Sequence, residues 1–269
     1  VRDVWPATLS ALGNIRESSV GFRILSWFER FALINTDIIS SNLPNFPLRI
    51  EEVLGREKEF IWLPNGYDPE EMIDIPTAEG DVFDHIPKDK FLVGYVGSIG
   101  IANALEYLVA SARLIKTRSI CILIVGEGEK LIELKAYAQT EGLKNIVFLP
   151  KIVKAQVPSV MRKLDVCFIG WRVTKLYDYG ISPNKIPEYL MSGKPVLHSF
   201  SGPNDPISLA DAGVTVPAED PAAIADAIES LEQSSLEERE NMGMRGSQYA
   251  VRHYNYEKIA EKLAKEIMA

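Results

Sequence analysis

The chain has 269 residues, 46% hydrophobic and 25% charged, and its 29 basic against 37 acidic side chains give a formal net charge of −8. That length suits one to two domains with ample core. The negative balance argues against broad attraction to nucleic acid or anionic lipid, so an anionic ligand must be held by local donors.

The front section, residues 1–68, opens on Val1-Arg-Asp-Val-Trp-Pro6 and reads as a piece of something longer. A helix is expected over Phe22–Asn35, with Ile24, Trp27, Phe28 and Phe31 on one stripe. Its charges, Arg23, Glu29 and Arg30, are mixed in sign, so the stripe is expected to pack on protein rather than lipid. Thr36–Ser40 and Phe60–Leu63 carry strand signals, and Pro64-Asn-Gly66 reads as a turn. Two strands are too few to close a sheet. Residues 69–90, rich in Pro, Asp and Glu, read as a linker.

From Phe91 onward strand and helix signals alternate. Apolar runs lie at Phe91–Val96, Ser119–Val125, Asn145–Leu149 and Asp165–Ile169, with shorter ones at Val196-Leu197 and Gly213–Val216. Between them, Leu105, Leu108, Val109 and Ala112, then Leu131, Leu134 and Ala138, then Val157, Val160, Met161 and Leu164 recur at helical spacing. Three helices are expected to close the chain, over Pro221–Glu232, Leu236–Arg252 and Tyr256–Met268. Strands without polar alternation are covered on both faces, and long helical connections mean crossovers. The expected class is α/β, a doubly wound parallel sheet of Rossmann-like type. Ligands of such sheets lie outside the carboxyl ends of the strands. Loops Gly97–Asn103, Gly126–Glu129, Pro150–Val153 and Gly170–Lys185 all leave that edge. The two cysteines, Cys121 and Cys167, sit inside apolar runs and read as buried thiols, not a disulfide or metal pair. Neither a signal peptide nor a spanning segment is seen, which points to a reducing cytoplasm, with room for peripheral association at the inner membrane.

The segment Gly180–Val196 is the most informative. It reads as a loop closed by Pro183 and Asn184, a helix opened by Lys185 and ended by Gly193, then a strand. A helix start offers unpaired N–H groups and a positive dipole end. Lys185 adds a full charge, and Glu188, one turn on, can accept bonds from sugar hydroxyls. Together they suit a nucleoside diphosphate. A Lys and a Glu in a first helical turn are also common without any ligand, so these two alone leave the reading open.

The wider set of motifs narrows it. Asp3-Val-Trp-Pro6, Pro64-Asn-Gly-Tyr-Asp68, Tyr95-Val-Gly-Ser-Ile-Gly100, Ile124-Val-Gly-Glu-Gly128, Ser182-Pro-Asn-Lys-Ile-Pro-Glu-Tyr189, Ser192-Gly-Lys-Pro195 and Val216-Pro-Ala-Glu-Asp-Pro221 occur in order. The chain resembles GT-B fold glycosyltransferases of glycosyltransferase family 4, particularly bacterial enzymes of surface-polysaccharide assembly. The Ser182–Pro195 block is the most specific part of the likeness. The resemblance implies a retaining transferase of hexosyl type, using a nucleotide-sugar donor such as a UDP- or GDP-sugar, a glycan or lipid-linked acceptor, and no metal or other cofactor. It implies that 1–68 is the last part of an N-terminal acceptor domain whose remainder is missing, 69–90 the linker, 91–252 the donor-binding domain, and 253–269 a helix crossing back. By position, Glu188 matches the ribose-binding carboxylate. Ser182, Pro183, Asn184 and Lys185 match the diphosphate loop, with Lys185 the catalytic cation. Gly97 and Gly100 match the first glycine loop, Gly126 and Gly128 the second, and Lys151 and Ile152 the base-contact loop.

Two departures stand out. The family often carries a second glutamate, contacting the donor sugar, where this chain has Gly180, and a basic residue in the first loop, where Ser98–Asn103 has none. Arg172 and Lys175 read more readily as solvated loop charges than as substitutes. His85, His198 and His253 show no partners in the sequence and are not read as catalytic. Two further readings stay open: a non-catalytic nucleotide-sugar-binding partner subunit, and a sugar-nucleotide epimerase of the same fold. A receiver-type signalling domain is set aside, because Asp165 starts its strand instead of ending it.

Overall fold

The structure, a computed structural model, describes residues 1–11, 15–70 and 81–268. The front section forms α1 (Ala7–Ala11), α2 (Val20–Asn35), β1 (Ile39–Ser41), α3 (Phe46–Leu54) and β2 (Phe60–Trp62). The Ser19 side chain caps α2 by accepting from Phe22 N at 3.2 Å. β1 and β2 pair in parallel, Ile39 opposite Phe60. Leu33, Ile39, Phe46 and Ile50 form a small core beneath them. The expected stripe on α2 is present, and it faces outward: Ile24, Trp27, Phe28 and Phe31 are all more than half exposed.

The stretch expected as a linker divides. Residues 71–80 lie outside the described residues. Beyond them a short helix, α4 (Asp81–Asp84), and the turn after it place Phe83 and Ile86 in the main core. That half of the stretch is therefore part of the body built on the main sheet, because two large apolar side chains there gain more from burial than from solvent.

The main sheet has six parallel strands: β3 (Phe91–Val96), β4 (Ile120–Val125), β5 (Ile146–Leu149), β6 (Val166–Gly170), β7 (Val196–Ser199) and β8 (Gly213–Val216). Their order is β5-β4-β3-β6-β7-β8. Alternate residues serve opposite faces. Val93, Tyr95, Ile122, Ile124, Phe168 and Leu197 face α5 (Leu105–Ser111), α6 (Leu131–Thr140) and α10 (Pro221–Gln233). Leu92, Val96, Leu123, Val125, Cys167 and Ile169 face α7 (Val157–Lys163), α8 (Lys185–Met191), α9 (Pro206–Ala210) and α11 (Leu236–His253). Both faces are thus covered, which is why these strands lack polar alternation. Both cysteines are buried free thiols. The chain winds outward from β3 to β5, then returns to β6 beside β3 and winds the other way. The switch point therefore lies between β3 and β6.

α11 begins with a capping box between Ser235 and Glu238 and runs through His253. A break at Tyr254-Asn255 precedes α12 (Tyr256–Met268). At that break the turn that closes the front section meets the C-terminal helices. Tyr67 N donates to Tyr254 O at 2.8 Å, and Tyr256 N donates to Tyr67 O at 3.2 Å. Gly66 makes the approach possible, since a Cβ there would lie 2.3 Å from Tyr254 O. Among the described residues no helix is long and apolar enough to cross a membrane.

Candidate functional site

The site is built at the switch point by how α8 is anchored. Ile186 and Leu190 bury one face of this helix, and fully buried Tyr189 fixes its register against β3. The Tyr189 hydroxyl accepts from Val96 N at 2.9 Å and donates to Val96 O at 3.2 Å. Two bonds to the last residue of β3 leave the first turn of α8 at the carboxyl edge. Lys185 then folds back over that edge. Its Nζ stands 5.1 Å from the centroid of the Tyr95 ring. It also lies flat against Gly97, where a Cβ would come 2.4 Å from Lys185 Cε and 2.7 Å from Nζ. Burial pushes the Lys185 pKa below its ordinary value, and the nearby Glu188 carboxylate pulls the other way. The result is a partly desolvated cation beside a half-buried carboxylate.

The two glycine loops support this floor. Gly97 N donates to Val125 O at 2.9 Å, and Ile99 N donates to Glu127 O at 2.8 Å. A Cβ on Gly126 would lie 1.9 Å from Gly97 O, and one on Gly128 would lie 2.3 Å from Ile99 O. Those two glycines therefore let the loops touch backbone to backbone. Gly100 has no such demand, and a Cβ there meets only ordinary contacts. The Ser98 carbonyl is held by the Tyr95 hydroxyl at 2.5 Å and Asn103 Nδ2 at 3.0 Å. Further along the edge, Lys151 is exposed and pairs with Glu127 at 2.6 Å, while Ile152 is half-buried against the main core.

The loop before α8 is held from the front section. Asn65 N donates to the Ser182 hydroxyl at 3.0 Å, and Asn65 Nδ2 donates to Ser182 O at 2.5 Å. Asn45 N donates to Tyr179 O at 2.9 Å, and Asn45 Nδ2 to Asp178 O at 3.1 Å. Pro183 is half-buried and Asn184 exposed. Gly180 has φ +96° and rests on Pro44, whose Cδ would lie 2.5 Å from a Cβ. A glutamate, which the resemblance leads one to expect here, has no room for its stem. Arg172 is not a solvated loop charge. It pairs with Glu106 and with Glu219 at 3.6 Å, donates to Ile101 O at 3.1 Å, and lies over the Tyr107 ring. It ties the first glycine loop to the loop leaving β6 and is occupied in doing so. Lys175 is exposed.

One cluster escaped the sequence reading. His198, fully buried in β7, contacts Asp205 through Nδ1 at 2.7 Å and accepts at Nε2 from Trp171 Nε1 at 2.8 Å. With the Trp171 donor on Nε2, Nδ1 is the ring nitrogen left to donate to Asp205. Burial alone would raise the Asp205 pKa, but hydrogen bonds from His198, Ser208 and Thr215 hold it well below the carboxylate range. A histidine in the middle of an apolar run was the available signal, because buried polar groups need partners. Among the described residues no three His, Cys, Asp or Glu side chains gather where they could hold a metal ion.

Residues 90–234 match the family of glycosyl transferases group 1. The chain belongs to that family. It is 21% identical over 244 residues to WbjE of Pseudomonas aeruginosa, described as a probable glycosyltransferase; the match covers 88% of this chain and 60% of that one. It is 25% identical over 169 residues to WcaI of Escherichia coli K12, which is named for colanic acid biosynthesis, covering 62% of this chain and 41% of that one. The structure superposes on Anabaena HepE, solved with UDP and glucose, with a TM-score of 0.70 at 15% identity, over 92% of this chain and 66% of that one. The fold is that of the GT-B glycosyltransferases. The chain thus spans 60% and 41% of the lengths of the two curated relatives.

Proposed function

We propose that this chain carries the donor site of a retaining glycosyltransferase that moves a hexosyl group from a nucleoside-diphosphate sugar to a glycan or lipid-linked acceptor in polysaccharide assembly. One observation carries the reading: Lys185 lies against Gly97 at the switch point of the sheet, with Glu188 one turn behind it. In this reading the diphosphate lies over Gly97–Gly100 beside Lys185, and Glu188 accepts from the ribose hydroxyls. The base lies toward Lys151 and Ile152. WcaI's name supports the polysaccharide role, and HepE's bound UDP supports a uridine donor over the alternatives.

The chemistry asked of the site is electrostatic. The bond between the anomeric carbon and the β-phosphate oxygen breaks, and its electron pair leaves with the diphosphate. An acceptor hydroxyl bonds to that carbon on the same face and passes its proton to the departing β-phosphate oxygen, so that the glycoside and the nucleoside diphosphate are the products. Charge grows on the departing oxygen, and a preorganised cation stabilises that state more than the ground state. Lys185 serves as that cation without a metal.

Calorimetric titration of UDP, GDP and ADP tests the donor half. One of the three binds, and binding of none ends the reading. With an acceptor in hand, the anomeric configuration of the product, read by NMR, tests retention.

A further inference from the structure

We infer that Asn65, in the front section, is a positioning residue of the donor site, setting the path of the loop that delivers Lys185. The inference rests on the donor reading above but is carried by a separate set of contacts.

Ser182 is three residues before Lys185, so its place decides where the Lys185 backbone starts. Within the loop, Ser182 is gripped from outside twice, both times by Asn65. The backbone N–H of Asn65 reaches the serine hydroxyl at 3.0 Å, and the side-chain amide reaches the serine carbonyl at 2.5 Å. An asparagine suits this, since its amide nitrogen donates where an aspartate oxygen would face a carbonyl and repel it.

Asn65 is itself immobilised. Pro64 before it is buried. Gly66 after it packs against Tyr254 O, and Tyr67 exchanges two backbone bonds with Tyr254 and Tyr256. The Pro64-Asn65-Gly66 turn is therefore clamped between the start of the C-terminal helix and the donor loop. Asn45 holds the same loop at Asp178 and Tyr179, so Asn65 fixes the end of the loop nearest Lys185. The donor site is thus not contained in the sheet domain. Its cation is aimed by a turn that follows the last strand of the front section.

Two measurements on the full chain test this. The first is amide hydrogen exchange of the unliganded protein over residues 178–188, in wild type and Asn65→Ala. The second is calorimetric binding of UDP, GDP and ADP and of their nucleosides to both proteins. Asn65→Ala is expected to speed exchange in this loop while leaving β3 and β4 protected. It is expected to weaken the bound diphosphate about three- to tenfold, the effect of one lost hydrogen bond, and to leave nucleoside affinity unchanged. Asn65→Asp is expected to do the same or worse. Unchanged loop exchange overturns the inference. So does an equal loss for diphosphate and nucleoside, which would make Asn65 a fold residue only. If wild type binds no diphosphate the donor reading fails, and the exchange arm still decides whether Asn65 orders the loop.

Discussion

Lys185 sits where a small shift in protonation changes what it can bind. Burial lowers its pKa from the ordinary 10.5, so it loses its proton earlier than a surface lysine. A bound diphosphate raises the pKa again. Affinity is therefore full below the free protein's Lys185 pKa and falls as pH rises through it, beginning below 10.5. Diphosphate binding measured across the alkaline range should show this decline, and Lys185→Met should abolish it. Glu188→Gln should cost roughly 1–3 kcal/mol of nucleoside diphosphate binding, the range for a hydrogen bond to a charged group. If the 2′- and 3′-deoxynucleotides bind wild type as well as the ribonucleotide does, Glu188 has another role. Gly180→Glu should destabilise the chain by several kcal/mol, through a left-handed φ and the clash with Pro44, as read by thermal unfolding. Equal stability of that variant would mean the loop moves freely off Pro44.

At the scale of elements, β7 and α9 are joined by the Asp205–His198–Trp171 network. Asp205 is held ionised well below 3.8, its ordinary value, so its contribution to stability is present above about pH 4 and lost as the pH falls further. Asp205→Asn should therefore lower the melting temperature at pH 7 and flatten its fall in acid. A parallel shift at all pH values would refute that account. Helix α2 exposes Trp27, Phe28 and Phe31, with Trp27 stacked on Phe31 at 5.5 Å. Its mixed charges predict no Trp27-dependent sedimentation with anionic liposomes. The central strands of the main sheet, β3, β4 and β6, were legible in the sequence because each is apolar on both faces, whereas only Val196-Leu197 of β7 was, since His198 and Ser199 break its apolar run. The helices between them were legible because their apolar positions recur with helical spacing. Phe83 and Ile86 were not, since two apolar residues in an acidic, proline-rich stretch carry no period. The sequence also showed the Gly97 loop and Lys185 separately. Their contact depends on Tyr189 reaching Val96, a tertiary bond without a local signature. Arg172 misled for the same reason: its partners come from elsewhere in the chain, Glu106 from the first turn of α5 and Glu219 from the turn after β8.

For the molecule as a whole, a net charge of −8 works against an anionic donor at long range. In the proposed function, binding comes from a few fixed donors, and the loop that carries Lys185 is held by other parts of the chain. The front section holds the donor loop through Asn45 and Asn65, and the C-terminal break holds the front section through Tyr67. The central claim is that Lys185 is the charge that this assembly aims at a diphosphate. It is tested most directly by titrating the best-bound nucleoside diphosphate, and its bare nucleoside, into wild type and Lys185→Ala. Loss of about 1.5–3 kcal/mol for the diphosphate, with the nucleoside unchanged, is the predicted result. An equal loss for both ligands would contradict it and make Lys185 a structural residue of the turn.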